Sequence, residues 1–120
     1  MKPKHLALAA AVLCAATSAA RADDLFFDSA DGRMEIHVGE GGRVFGHYQR
    51  PGRIVGHVGP DGSIEGLWME PASDHPCGSQ REGTYGWGHF IIGRAWSRHP
   101  YGSWGYCDEV PNNDWQIRRR

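Results

Sequence analysis

Met34-Glu35-Ile36-His37-Val38, Val44-Phe45-Gly46-His47-Tyr48, Ile54-Val55-Gly56-His57-Val58 and Ile64-Glu65-Gly66-Leu67-Trp68 are four runs set ten residues apart in a chain of 120 residues. The first, third and fifth positions of each run are apolar or glycine. Alternation with period two is the pattern of a β-strand that buries one face. Turn residues separate the runs: 39–42, then Arg50-Pro51-Gly52, then Gly59-Pro60-Asp61-Gly62. The stretch therefore reads as consecutive hairpins. A slip of one residue would exchange the two faces, so burial fixes the register.

The expected core face carries Met34, Ile36, Val38, Val44, Tyr48, Ile54, Val58, Ile64 and Trp68, with Gly46, Gly56 and Gly66 between them. The other face is mixed, with Glu35, His37, Phe45, His47, Val55, His57, Glu65 and Leu67. Glycine inside a strand weakens it and needs a reason. Simple hairpin registers set Gly46 opposite Gly56. Small residues there let the sheet coil tightly, or let an aromatic ring lie against the backbone, and both suit a curled sheet or small barrel. The functional alternative is a ligand that approaches the bare backbone.

Outward from the repeat, Leu25-Phe26-Phe27 is a first strand or a plug over the core. Residues 85–92, 101–107 and 114–118 read as strands, and residues 70–83 as a polar loop. No stretch has the three-and-four spacing of a long helix. The fold class is all-β: an antiparallel meander of six to eight short strands, as a curled sheet or a small up-and-down barrel. Eight strands suffice to close a barrel and remove its edges.

A basic head (Lys2, Lys4), an apolar run over 6–16 and the small-residue end Ala20-Arg21-Ala22 form the pattern of a secretory leader cleaved after Ala22. The run is too short to span a bilayer, which takes roughly 20 apolar residues. Expected domains are a signal peptide over 1–22 and one β-meander domain over 23–120, in the periplasm or secreted, with no membrane insertion. Cys77 and Cys107 then make an even pair, which reads as a disulfide in an exported chain. Residues 23–120 hold ten arginines and no lysine against fourteen acids, a formal charge of −4. That balance argues against a nucleic-acid partner, which calls for a basic face.

Residues 43–70 resemble a pattern of many small exported bacterial proteins with Gly/aromatic β-repeats: V-x-G-x-Y, then G-x-I-x-G-x-V, then L-x-G-x-W-x-E. Those proteins often close with F-x-G-x-W and W-x-G-x-R segments. Tyr101-Gly102-Ser103-Trp104 and Trp115-Gln116-Ile117-Arg118 are similar to these, with Ile117 where the pattern has a small residue. The chain also resembles avidin- and lipocalin-type meander barrels through its G-x-Y and G-x-W strands. The resemblance implies architecture and carries no activity with it, because fold does not imply function.

His37, His47 and His57 recur on one strand face, but strand geometry sets them on diagonals or two strands apart, beyond roughly 7 Å. They are expected to form cross-strand pairs with Glu, and no metal or cofactor is expected. There is no G-x-S-x-G and no H-E-x-x-H, so no enzyme is expected either. The aromatics can be core, each burying about 150–250 Å², or a binding surface. Tyr48, Trp68, Trp87, Trp96, Tyr101 and Trp104 are the candidate ligand-binding residues. Trp96 and Tyr101 sit in polar surroundings, and Trp87 and Trp104 could line a pocket mouth. The expected function is a non-enzymatic binding module for a small molecule or glycan. The alternative is a protein-interaction module of the periplasm, an inhibitor or accessory subunit using the loop over 98–101 and the mixed His face. An enzyme ranks third.

Overall fold

Nine strands hydrogen-bond in a single antiparallel sheet in the computed structural model, which describes residues 22–120. The expected leader over 1–22 lies, but for Ala22, outside the described residues. The strands are β1 (Asp23–Ser29), β2 (Gly32–Val38), β3 (Arg43–Tyr48), β4 (Gly52–Val58), β5 (Ile64–Glu70), β6 (Gly86–Gly93), β7 (Tyr101–Tyr106), β8 (Asn113–Trp115) and β9 (Ile117–Arg119). The order across the sheet is β8-β7-β6-β5-β4-β3-β2-β1-β9. Only Gln116 separates β8 from β9, so the two ends of the sheet are halves of one interrupted strand. The sheet thus curls round into a nearly closed up-and-down barrel. One more strand forms than the six to eight expected, because the last strand changes partner at Gln116: β8 pairs with β7, and β9 with β1. Leu25-Phe26-Phe27 is part of strand β1 rather than a plug.

The inner face follows the sequence pattern. Leu25, Phe27, Met34, Ile36, Val38, Val44, Ile54, Ile64, Phe90 and Ile92 are buried together, with Val58 packed against them. Gly46 pairs with Ile36 and Ile54, while Gly56 pairs with Gly66, so the Gly46–Gly56 pairing expected from simple hairpins does not form. The β3–β4 turn centres on Arg50, one residue short of what that pairing requires. A Cβ on Gly66 would run into the Val55 carbonyl and the Gly56 backbone, so the two glycines mark where neighbouring strands coil closest. Gly88 serves the other purpose. The Trp68 ring lies against it, with Nε1 only 2.6 Å from where a Cβ would stand.

The barrel has two unlike ends. One end carries the β2–β3, β4–β5 and β6–β7 connections, and there the buried Ala95 accepts a hydrogen bond from Arg119 Nη1 at 3.1 Å. The other end carries the β1–β2, β3–β4, β5–β6 and β7–β8 connections. Outside the barrel, Met69, Cys77 and Trp87 form a second small core with Val55, Leu67 and Cys107 packed on it. The Cys77–Cys107 disulfide spans a sequence separation of 30 and fastens the loop over 71–85 to the end of β7. Among the described residues no helix is long and apolar enough to cross a membrane.

Gly66→Ala is expected to cost about 3 kcal/mol or more, because backbone rather than a yielding side chain blocks the new methyl. Gly78→Ala, with nothing within 4 Å of its Cβ, should change stability by less than about 0.5 kcal/mol. Urea unfolding of the two variants measures the difference, and equal effects would contradict the close approach of β4 and β5.

A cavity at the open mouth of the barrel

A cavity of about 230 Å³ opens at the end that carries the β3–β4 and β5–β6 connections. Its walls are aromatic. Trp68 from β5, Trp104 and Tyr106 from β7, Trp115 from β8 and Tyr48 from β3 all line it. Each reaches the interior by strand parity, standing an even number of places from a core residue on its own strand or on the partner strand. Trp68, Trp104 and Tyr106 meet edge to face: 6.0 Å and 81° for the Trp pair, 4.8 Å and 88° for Trp104–Tyr106, and 6.0 Å and 70° for Trp68–Tyr106. Tyr48 meets Trp115 in the same way at 5.6 Å. Rings fixed at such angles do not interdigitate as aliphatic side chains do, and space is left between them.

The rim is polar. Asp31 comes from the β1–β2 turn, Arg50 from the β3–β4 turn, Glu70 from the end of β5, and Ala72, Ser73 and Asp74 from the following loop. Tyr48 Oη donates to Glu70 Oε2 at 2.7 Å. Arg50 Nη1 donates to Asp31 Oδ1 at 2.9 Å, and Arg50 Nε lies 3.4 Å from Glu70 Oε1. These contacts chain the phenol, the two carboxylates and the guanidinium into one network. Tyr48 is only 3% exposed. Burial pushes its phenol far above the ordinary value, and the Glu70 carboxylate that accepts its hydrogen bond pushes the same way. The Asp31 hydrogen bond and the two nearby carboxylates raise Arg50 further above its ordinary value.

Trp115, like Arg119 at its Nε, departs from the rule that buried polar groups find partners. The residue is 5% exposed, and its ring N–H is buried with no hydrogen-bond partner. Trp68, by contrast, donates to the Gly105 carbonyl at 3.1 Å.

Of the six aromatic residues singled out in the sequence, Tyr48, Trp68 and Trp104 gather in this cavity. The other three lie elsewhere. Trp87 points outward, buried in the small outer core, with its Nε1 donating to the Ser79 carbonyl at 2.8 Å. Strand β6 has apolar residues on both faces, so its aromatic content alone does not say which way Trp87 points. Trp96 and Tyr101 belong to the β6–β7 connection and the start of β7, at the opposite end of the barrel. Trp96 donates to Asp23 Oδ2 at 2.8 Å, and Tyr101 is 57% exposed. The cavity also uses Tyr106, Trp115 and the charged rim residues, which were not singled out. Parity carried a signal for one of them: Glu70 stands two places after Trp68 and so shares its face.

His37, His47 and His57 lie on the outer surface. His47 pairs with Glu35 and His57 with Glu65 across neighbouring strands, at 3.9 and 3.8 Å, and His37 Nδ1 lies 2.8 Å from Asp24. Among the described residues no group of three His, Cys, Asp or Glu side chains is placed to hold a metal ion. Compared with protein-family models, with curated proteins and with solved structures, the chain matches none.

Tyr48 gives the fold an alkaline limit. In the unfolded chain its phenol ionises near 10, and in the folded protein it ionises well above that. The unfolded state therefore loses a proton that the folded state keeps, and stability falls as pH rises past about 10. Urea unfolding between about pH 9 and 11 should show a shallower decline in Tyr48→Phe than in the wild type. Equal slopes would sink the assignment.

Proposed function

We propose that the protein is an exported, non-enzymatic binding module whose barrel mouth takes a small molecule. The observation that carries this reading is the mouth cavity itself: five aromatic side chains and a charged rim converge there. A concave site with aromatic walls and a few converging polar groups is a common form of small-ligand site. The volume of about 230 Å³ falls just under the roughly 300–1,000 Å³ of sites for drug-sized ligands, which favours a small metabolite or a single sugar over a peptide. Export is supported by the leader pattern over 1–22 and by the disulfide, which persists in oxidising compartments. The resemblance to small exported bacterial Gly/aromatic β-repeat proteins points the same way.

A protein-interaction role is the second reading. Tyr101, at 57% exposure, and Trp96, at 36%, favour it. Both sit at the far end of the barrel, so the two readings separate by mutation.

Thermal melts of the purified protein against a panel of small sugars, amines and aromatic compounds test the first reading. A ligand at 100 times its Kd stabilises by about 2.7 kcal/mol, and so should raise Tm by several degrees. That rise is expected to vanish in Trp104→Ala and to persist in Trp96→Ala. Shifts that ignore Trp104 but need Trp96 would move the site to the other end.

A further inference from the structure

We propose that the barrel mouth selects a small organic cation. This rests on the reading of the mouth as a small-molecule site and adds the chemistry of its ligand. Three carboxylates, Asp31, Glu70 and Asp74, line the cavity against one guanidinium, Arg50. Arg50 is already engaged by Asp31 at 2.9 Å and Glu70 at 3.4 Å. Asp74 has no ion pair among the described residues. The lining therefore has a formal charge of −2, and Asp74 is the carboxylate that no cation offsets. An anion would meet repulsion at this rim, while a neutral sugar would gain nothing from its charge.

The walls agree with the rim. The planes of Trp68, Trp104 and Tyr106 stand at 70–88° to one another, as the walls of a corner do. The face of an aromatic ring carries the negative part of its quadrupole, and several such faces around one point attract a compact cation, a quaternary ammonium above all. One face of Tyr106 is taken by the His75 ring, stacked at 4.4 Å, so the cation is expected on the side of the two tryptophans.

Charge and ring faces are independent features of one cavity, and together they describe a compact cation.

Choline and its neutral carbon isostere, 3,3-dimethylbutan-1-ol, test this directly, because they match in shape and hydroxyl and differ in charge. Titration followed by tryptophan fluorescence should show choline binding at least about tenfold more tightly than the alcohol. Asp74→Asn, in an exposed loop, should weaken choline by about 2–5-fold and leave the alcohol unchanged. Equal binding of the two probes would overturn the cation and leave the mouth as a neutral-ligand site. If neither probe binds, the inference also fails. In that case a panel compound whose stabilisation depends on Trp104 keeps the mouth as a binding site, and a panel without any such compound removes both readings.

Discussion

The barrel depends on the change of partner at Gln116. Eight antiparallel strands in an open sheet would leave two edges with unpaired N–H and C=O groups, which invite pairing with other chains. Here one strand serves both edges. Asn113, Asp114 and Trp115 pair with β7, and Ile117, Arg118 and Arg119 pair with β1. The break spends a single residue, and that residue is itself tied down. Its carbonyl accepts from Ala30 N at 3.1 Å, and its side-chain amide donates to Asp114 Oδ2 at 2.9 Å. Parity survives the switch, since Gln116 is exposed while Trp115 packs in the core with Ile117 against it. Had the break involved two residues, one half of the strand would have turned its apolar side to solvent.

Closure also decides what the interior holds. Toward the far end the core is aliphatic or phenyl: Phe27, Ile36, Ile64, Phe90, Ile92 and Ala95 leave little room. Toward the mouth the inward residues are Trp and Tyr from β3, β5, β7 and β8, and these large flat groups meet at steep angles. A chain of this size cannot fill a wide cross-section with aliphatic side chains alone, and its glycines narrow the barrel where β4 and β5 approach most closely. The carboxylate of Glu70 is tolerated just inside the rim, at 14% side-chain exposure, because Tyr48 donates to it and Arg50 stands beside it. A half-buried carboxylate without such partners would be costly.

Much of this was legible in the sequence, for a reason that also sets the limit. Period-two alternation reports which face a residue occupies, so the core face over 34–68, the meander and the inward Tyr48 and Trp68 followed from it. Alternation does not report register across a turn. The pairing of Gly56 with Gly66 instead of Gly46 depends on where each turn centres, and both hairpins are compatible with the same alternating pattern. Nor does it report which end of a barrel a residue occupies unless strand direction is followed. Strand β6 runs away from the mouth, so Trp96 and Tyr101, at its far connection, were never near Trp104's cavity. The polar rim was hidden for another reason. Asp31, Arg50 and Asp74 sit in turns, where charged residues are ordinary, and only closure of the barrel brings three separate turns to one opening.

The disulfide belongs to the mouth more than its position on the outer surface suggests. Cys107 directly follows Tyr106, which lines the cavity, and Cys77 stands three residues after Asp74, which caps it. The cross-link therefore holds an aromatic wall and an acidic rim segment at fixed separation. Further contacts fasten the same loop: Cys77 N donates to the Tyr85 carbonyl at 2.8 Å, and Trp87 Nε1 to the Ser79 carbonyl at 2.8 Å. Cys107 itself lies in the left-handed region at φ 55°, which a residue with a Cβ adopts only at a cost. That conformation turns the chain off β7, and its N–H bonds the Trp87 carbonyl at 2.9 Å. In the chain-entropy account, closing a loop of 30 residues stabilises by about 3–4 kcal/mol. The local consequence matters as much. Without the cross-link, the loop bearing Asp74 would have to be ordered at the moment of any binding event, and that ordering would be subtracted from the affinity. With it, the acidic side of the mouth is set in place when the protein folds.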